Sequence, residues 1–358
     1  MNLAEYSRID KLLHRIAFRG QKLQVLTGEF ENDIFSRKLR FASAAKPVFI
    51  TSLPRAGTTL LLEMMSTVPG FASHTYRDMP FVLCPILWSN FASRFPRTSV
   101  ERPRAHGDGM VIGLDSPEAF DEVAWQAFWP RKYLAERILP WTRDDKSPGF
   151  KRFFTDHMKK IVHLRLENHA ETGRYVSKNN TNIARIDLLS RLFPDCTIVV
   201  MFRNPIAQSE SLLRQHLNFL RIHAAEPFAA EYMKGIGHLD FGLGFRPIDF
   251  GQRIEANLQE THTLGYWVNY WTHAFRWVLQ RSRENVVFCG YEECCRDPVR
   301  VLSALAERLE FDPTQLVRLA GRFRQFPNRT EGAETIECGL LADAQTVYEN
   351  LTAVQIGK

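Results

Sequence analysis

KPVFITSLPRAGTTLLLEMMSTVPG, residues 46–70, changes character twice along its length. VFIT is a short apolar run with a bias to β-branched residues, which is typical of a buried strand. SLPRAG then predicts a turn, and TTLLLEMMSTV predicts a helix that Pro69 and Gly70 end. The stretch therefore predicts a strand, a tight loop and a helix in succession, which is the repeating unit of an α/β fold.

The same order recurs further along the chain. A short strand is predicted at residues 70–75, and apolar strands with polar exits are predicted within 174–180, 196–205 and 285–294. Helical patterns separate them, so we expect one parallel sheet with helices on both faces. Residues 1–45 are predicted to form a helical appendage, helical over 3–41, on a single α/β domain of residues 46–358.

Three segments between these elements have their own patterns. SPEAFDEVAWQAFW predicts a helix with Ser116 as its N-cap and Pro117 at its first position. Residues 221–252, rich in Gly, Pro and aromatic residues, predict a long loop or lid. The aromatic helix that contains Trp267 and Trp271 is predicted to belong to the core.

The composition and charge of the chain limit the ligands and the cellular location that we expect. The formal net charge is +6, no block of five basic residues occurs, and the six cysteines lack metal-ligand spacing. We therefore expect an anionic ligand, with neither nucleic acid nor a bound metal. The amino-terminal residues are charged throughout and no run of 18 apolar residues occurs, which predicts a cytoplasmic protein without a transmembrane segment.

LPRAGTT, residues 53–59, has the features of an anion-binding loop. The first N–H groups of a helix have no partner within it, and the helix dipole favours a negative charge in front of them. Gly57 allows the backbone to approach a ligand, Thr58 and Thr59 add hydroxyl donors, and Arg55 adds a positive charge. Because the loop lacks the lysine and the earlier glycine of a Walker A motif, a triphosphate with magnesium is disfavoured.

FRNPIAQSESLLRQ, residues 202–215, follows another predicted strand. Arg203 stands at the strand exit, Ser211 lies two helical turns later, and Arg214 follows one turn after Ser211 on the same face. Arginine binds phosphate through two donors, so this motif predicts a second anionic group of the same ligand.

Together these motifs resemble those of the sulfotransferases that use 3′-phosphoadenosine 5′-phosphosulfate (PAPS). LPRAGTTLL resembles the 5′-phosphosulfate loop of the family and FRNPIAQSESLL its 3′-phosphate motif, while GYEECCRDPVRVLSALAERLEF resembles a later strand exit and helix. The resemblance runs from about residue 46 to about residue 311, with residues 80–170 and 217–260 poorly matched. It implies a P-loop-like three-layer fold with a central parallel sheet.

The resemblance also implies roles for individual residues. Those expected at the 5′-phosphosulfate are Arg55, Ala56, Gly57, Thr58, Thr59 and Leu60. Arg203 and Ser211, with Arg214 beside them, are expected at the 3′-phosphate, and Tyr291 near the adenine. Arg329, in FPNRTEG, is expected in a loop that closes over the nucleotide.

In sulfuryl transfer the acceptor attacks sulfur in line, 3′-phosphoadenosine 5′-phosphate (PAP) leaves, and a base takes the acceptor's proton. Arg55 is expected to stabilise the leaving oxygen. The family branches with Arg in the loop place the base just after the second strand, where Asp78 and His74 stand here. A turn-capping role for Asp78 and a strand histidine at position 74 are the alternatives. His106 and Lys178 are further candidates for acceptor contacts.

The branch of the family that this sequence resembles indicates which class of acceptor to expect. Cytosolic small-molecule enzymes usually carry Lys at the place of Arg55, so the chain leans toward the glycan and protein-tyrosine branches, and we expect a carbohydrate or glycoconjugate hydroxyl, or an amine, as acceptor. The alternative from another class is a metal-dependent P-loop kinase, which the missing Walker lysine disfavours.

Overall fold

The computed structural model describes residues 7–94, 102–103, 111–166, 171–251, 260–324 and 336–358. Within these ranges the strands are β1 (Val48–Thr51), β2 (Phe71–Ala72), β3 (Arg102–Pro103), β4 (Val111–Ile112), β5 (Arg174–Lys178), β6 (Thr197–Phe202) and β7 (Val286–Gly290). The helices are α1 (Arg8–Arg19), α2 (Gln21–Ile34), α3 (Ser36–Leu39), α4 (Thr58–Ser66), α5 (Pro85–Ala92), α6 (Glu122–Phe128), α7 (Phe150–Leu166), α8 (Ile186–Leu192), α9 (Pro205–Ala225), α10 (Pro227–Gly235), α11 (Leu264–Leu279), α12 (Tyr291–Arg296), α13 (Pro298–Arg308), α14 (Thr314–Val317) and α15 (Cys338–Ala353).

Five strands form a parallel sheet in the order β2-β5-β1-β6-β7. Val48 of β1 pairs with Val176 of β5 on one side and with Thr197 of β6 on the other. The sheet has helices on both faces, as predicted. β3 and β4 form a separate antiparallel pair.

The core lies on both faces of this sheet. Side chains alternate along a strand, so Phe49 enters one apolar cluster while its neighbours Val48 and Ile50 enter the other. The first cluster includes the aromatic helix α11, whose Trp267 and Trp271 are fully buried as predicted. Because the sheet is buried on both faces, each strand is a continuous apolar run in the sequence.

Polar chain exits meet at one edge of the sheet. Because parallel strands point the same way, the segments after β1, β5, β6 and β7 leave from the same edge. The loop around Arg55 follows β1, Lys178 ends β5, Arg203 follows β6 and Tyr291 follows β7. The strand order therefore places both predicted anion motifs at one crevice.

The helix predicted to start at Ser116 is wrong in its boundary. Helix α6 begins at Glu122, whereas the Ser116 hydroxyl accepts a hydrogen bond from the Gly113 N–H and closes a turn. Pro117 forms an antiparallel bridge with Thr75.

Two further boundaries differ. The loop predicted over 221–252 is helical in its first part, because α9 continues to Ala225 and the Glu226 side chain caps α10 by accepting the Phe228 N–H. The single helix predicted over 3–41 is three helices in residues 8–39, broken at Gly20, whose N–H closes α1. None of the described helices is both long and apolar enough to cross a membrane.

Candidate active site

The loop after β1 has the backbone of an anion cradle. Arg55 and Gly57 both have left-handed backbones, with φ of 74° and 88°. The Gly57 carbonyl accepts the Leu61 N–H at 3.0 Å, which starts α4 and leaves its first-turn N–H groups at the crevice. A Cβ on Gly57 would lie 2.7 Å from Cδ2 of Tyr291, so only glycine fits between the loop and this ring.

Gln208 of α9 holds the loop from behind. Its amide nitrogen donates to the carbonyls of Leu53 at 3.0 Å and Pro54 at 2.9 Å. Its carbonyl accepts the indole N–H of Trp271 at 2.9 Å. Gln208 is fully buried, so the bonds fix both its orientation and the direction in which the loop carbonyls point.

The second motif meets the loop directly. Asn204 caps α9 by accepting the N–H groups of Ile206 and Ala207, each at 3.1 Å. Nε of Arg55 donates to the Ser211 hydroxyl at 3.1 Å, and Arg214 approaches the same oxygen at 3.5 Å. The structure thus brings together three residues predicted from two motifs about 150 positions apart.

Arg203 and Tyr291 form the outer side of this crevice. The Arg203 guanidinium carbon lies 5.3 Å from the centre of the Tyr291 ring, and its Nε lies 3.8 Å from the Glu292 carboxylate. The Tyr291 hydroxyl donates to the Arg324 carbonyl at 3.0 Å.

The remaining predicted donor residues have different environments. The Ala56 side chain is buried in the core, so this residue faces a ligand only through its backbone. Leu60 is partly buried against the same apolar cluster. Arg329 and His106 lie outside the described residues.

A small polar cavity of about 40 Å³ adjoins the loop. One side is formed by Pro54, Arg55, Thr58 and Thr59, and the other by Glu118, Lys178, Asn180, His238, Asp240 and Phe241. Lys178 is 7% exposed and Glu118 is 5% exposed. The Asp240 carboxylate accepts the Asn180 amide at 3.1 Å. The cavity joins the loop's cationic and hydroxyl groups to a set of titratable side chains.

Electrostatics in this cavity favour a neutral histidine. Burial lowers the pKa of His238, and Lys178 lowers it further, against the opposing attraction of Glu118 and Asp240. Burial also raises the pKa of Asp240, although the His238 charge opposes the shift. A neutral imidazole accepts a proton, so His238 has the state that a general base requires.

The family model described as "Sulfotransferase family" matches residues 47–239, which is 193 of the 358 residues. The chain belongs to the sulfotransferase family. The matched stretch contains the loop, the second motif and most of the cavity wall, so the enzyme transfers a sulfuryl group. Comparison with curated protein sequences gives no significant match.

Several solved sulfotransferase structures align with this chain, and the first of them shares its fold. Sulfotransferase STF9 from Mycobacterium avium aligns over 96% of this chain and 85% of that chain, with a TM-score of 0.53 and 14% identity. Sulfotransferase STF1 from Mycobacterium tuberculosis H37Rv aligns over 98% and 88%, with a TM-score of 0.48 and 13% identity. Mouse sulfotransferase SULT7A1 complexed with PAP aligns over 90% and 81%, with a TM-score of 0.31 and 13% identity.

Asp78 and His74 lie in a buried network of this sulfotransferase and not among the residues that line the cavity. The Asp78 carboxylate accepts hydrogen bonds from Arg165 at 2.6 Å and from the Thr75 N–H at 2.9 Å, and it contacts Nδ1 of His74 at 3.1 Å. Nε2 of His74 lies 3.0 Å from Nε2 of His157. Although burial opposes it, the charges of Arg165 and His74 lower the pKa of Asp78. Both side chains are thus engaged in holding the turn after β2.

Sequence reasoning missed Glu118, His238 and Asp240. They stand in the two poorly matched insertions, where neither strand periodicity nor a family motif marks them. The signal that could have found the pair is GHLDFG, residues 237–242, a short polar motif between glycines in an aromatic region.

Proposed function

We propose that this sulfotransferase moves the sulfuryl group of PAPS to a hydroxyl or amine of a carbohydrate or glycoconjugate and releases PAP. The observation that carries the proposal is the hydrogen bond from Arg55 to Ser211. It joins the 5′-phosphosulfate loop to the 3′-phosphate motif, so one nucleotide can occupy both. We assign Arg203 and Arg214 to the 3′-phosphate and Tyr291 to the adenine side.

The loop residues supply electrostatic catalysis. As the acceptor oxygen bonds to sulfur, the bond from sulfur to the phosphate oxygen breaks, and negative charge grows on that oxygen. Arg55 and the N–H groups of Thr58 and Thr59 face this position from a fixed loop, so they stabilise the charge without rearrangement. Lys178, on the opposite wall, is assigned to the sulfonate oxygens.

We assign the base to His238. It lines the cavity with Arg55, and its lowered pKa keeps it neutral at neutral pH. The acceptor proton passes to the imidazole as the new bond to sulfur forms, and Asp240 lies close enough to stabilise the imidazolium. The Glu118 carboxylate is engaged by the Tyr76 hydroxyl at 2.9 Å and the Ala119 N–H at 2.9 Å, which disfavours it as the base.

The donor assignment is tested by thermal shift. We expect PAP alone to raise the melting temperature and Arg55→Ala to remove most of the shift. Arg37→Ala, an exposed arginine in α3, is the matched control. Stabilisation by ATP with magnesium, and none by PAP, would contradict the proposal.

The base is tested separately. With a panel of oligosaccharide acceptors, His238→Asn is expected to lower acceptor-dependent PAP release at least 100-fold at pH 7 while PAP affinity stays unchanged. His273→Asn, on α11 away from the cavity residues, is the control. Equal turnover of the two variants would remove His238 from the mechanism.

We also propose a cytoplasmic location. The six cysteines are free thiols, and the sulfurs of Cys289 and Cys294 lie 3.4 Å apart without being bonded. Free thiols this close are typical of a reducing compartment.

A further inference from the structure

The outer side of the amino-terminal helices carries an apolar surface, which we call the amino-terminal apolar face. Its members are Ile9, Leu12, Ile16, Leu23, Leu26, Phe30, Ile34 and Phe41, each 49% to 70% exposed. They make up eight of the 14 large apolar side chains that stand exposed in the described part of the chain. A cluster of this size on a soluble protein indicates an interaction site.

The domain does not cover this face, because it already holds the opposite one. In α1 the buried residues are His14 and Ala17, and in α2 they are Gln24, Gly28 and Glu31. The exposed positions recur at spacings of three and four, so they form a separate stripe on each helix.

Ion pairs and close packing fix the inner side in place. Glu31 is fully buried and pairs with Lys160 of α7 at 3.2 Å. A Cβ on Gly28 would lie 2.3 Å from the Leu83 carbonyl, so α2 packs closely on the chain before α5. Rotation of α2 to bury its apolar stripe would break both contacts, so the stripe faces outward in the folded protein.

The helix lengths indicate how such a surface would meet a bilayer. α1 has 12 residues and α2 has 14, which corresponds to about 18 Å and about 21 Å. A spanning helix needs about 20 apolar residues. Two short helices with one apolar side each are suited to lie in the plane of the interface.

The charged residues around the amino-terminal apolar face indicate which partner it contacts. In the described residues 7–45 the exposed basic residues are Arg8, Arg15, Arg19, Lys22, Arg37, Lys38 and Arg40, and among these seven only Arg15 has an ion pair with the domain, to Glu231 of α10. The exposed acidic residues in the same region are Glu29 and Asp33. A second copy would bring one positive surface against another, whereas anionic lipid headgroups complement it.

We propose that the amino-terminal apolar face docks on an anionic bilayer, with its apolar side chains below the headgroups and its basic residues among them.

The contact with the bilayer also bears on the proposed function. The inner side of α1 packs on α10, with Phe18 against Gly235, and His238 follows shortly after α10. Docking would hold the cavity near lipid, which suits a membrane-borne glycoconjugate, an acceptor class that rests on the proposed function.

Vesicle co-sedimentation of the full chain tests the docking. We expect binding to vesicles of phosphatidylcholine with 25% phosphatidylserine at least ten times tighter than to phosphatidylcholine alone, and weaker binding at high salt. The variant Leu12→Glu/Leu23→Glu/Leu26→Glu is expected to lose at least tenfold. The matched control is Leu243→Glu/Val299→Glu/Val354→Glu, at exposed apolar positions elsewhere, and it is expected to bind as the wild type does.

The other outcomes are decisive as well. Absence of binding to the anionic vesicles, or equal loss in the two triple variants, overturns the proposal. A dimer in size-exclusion chromatography with light scattering that only the first variant disperses would identify a second copy as the partner and also overturn it. The PAP thermal shift of both variants shows that they fold, and because it uses other residues, failure of docking leaves the donor assignment intact.

Discussion

Gly57→Ala is the most informative single change in the loop after β1. Gly57 and Gly70 have nearly the same left-handed backbone, with φ of 88° and 92°. They differ in what a new methyl group would contact, since nothing lies within 4 Å of a Cβ on Gly70 but Tyr291 lies at 2.7 Å from a Cβ on Gly57. Gly70→Ala therefore measures the backbone cost alone.

The expected magnitudes follow from these distances. An alanine with a left-handed backbone costs about 1–2 kcal/mol in either position. The contact with Tyr291 adds about 1–3 kcal/mol, as overpacking does in other cores. The ring cannot easily move away, because its hydroxyl bonds the Arg324 carbonyl and its face lies against Arg203. The loop shifts instead, so its N–H groups leave the positions in which we propose that they bind the nucleotide.

Urea unfolding and calorimetric titration with PAP measure the two effects. Gly70→Ala should lower the free energy of unfolding by about 1–2 kcal/mol and leave the Kd for PAP unchanged. Gly57→Ala should lower it by about 2–5 kcal/mol and raise the Kd at least tenfold. Equal Kd values for the two variants would refute the role of Gly57 in shaping the site.

Three predictions concern the buried polar groups. Glu122→Gln removes the charge that pairs with fully buried Arg185 at 2.7 Å, and should cost about 3–5 kcal/mol in urea unfolding with no change in PAP affinity. Burial lowers the pKa of His216 to about 4, so its contribution to stability is full above about pH 6.5 and falls between pH 6.5 and 4. In His216→Gln the free energy of unfolding should therefore depend less on pH across that range. The lowered pKa of Asp78 means that its contribution is full above about pH 4 and is lost in stronger acid, so Asp78→Asn should destabilise at pH 7 and reduce the acid dependence below pH 4.

The loop after β1 and its meeting with the second motif could be predicted because their signals are local. A buried strand, a glycine loop and a helix start appear within residues 46–70, and parallel strand order brings their counterpart at Arg203 to the same edge. Gln208 was not predicted, since a glutamine within a helix has no pattern that shows which carbonyls it will bind.

The cavity beside this loop depends on contacts between distant segments. Glu118, Lys178 and His238 come from three parts of the chain that meet only after folding. Asp78 lies in the turn where the family branches place a base, but Arg165, from the end of α7, neutralises it in the core. No local pattern reveals that partner, and the lining of the cavity is what leads us to propose His238 as the proton acceptor in place of Asp78.

The bonds of Gln208 have a consequence for the kinetics of nucleotide binding. With both loop carbonyls tied to a buried amide that Trp271 orients, the free protein already holds the loop in one shape. A ligand that enters such a loop does not have to order it first, so little conformational entropy is lost on association. The encounter of nucleotide and protein would then proceed in a single step, and whatever limits the turnover of this enzyme would lie in the later events of transfer and product departure.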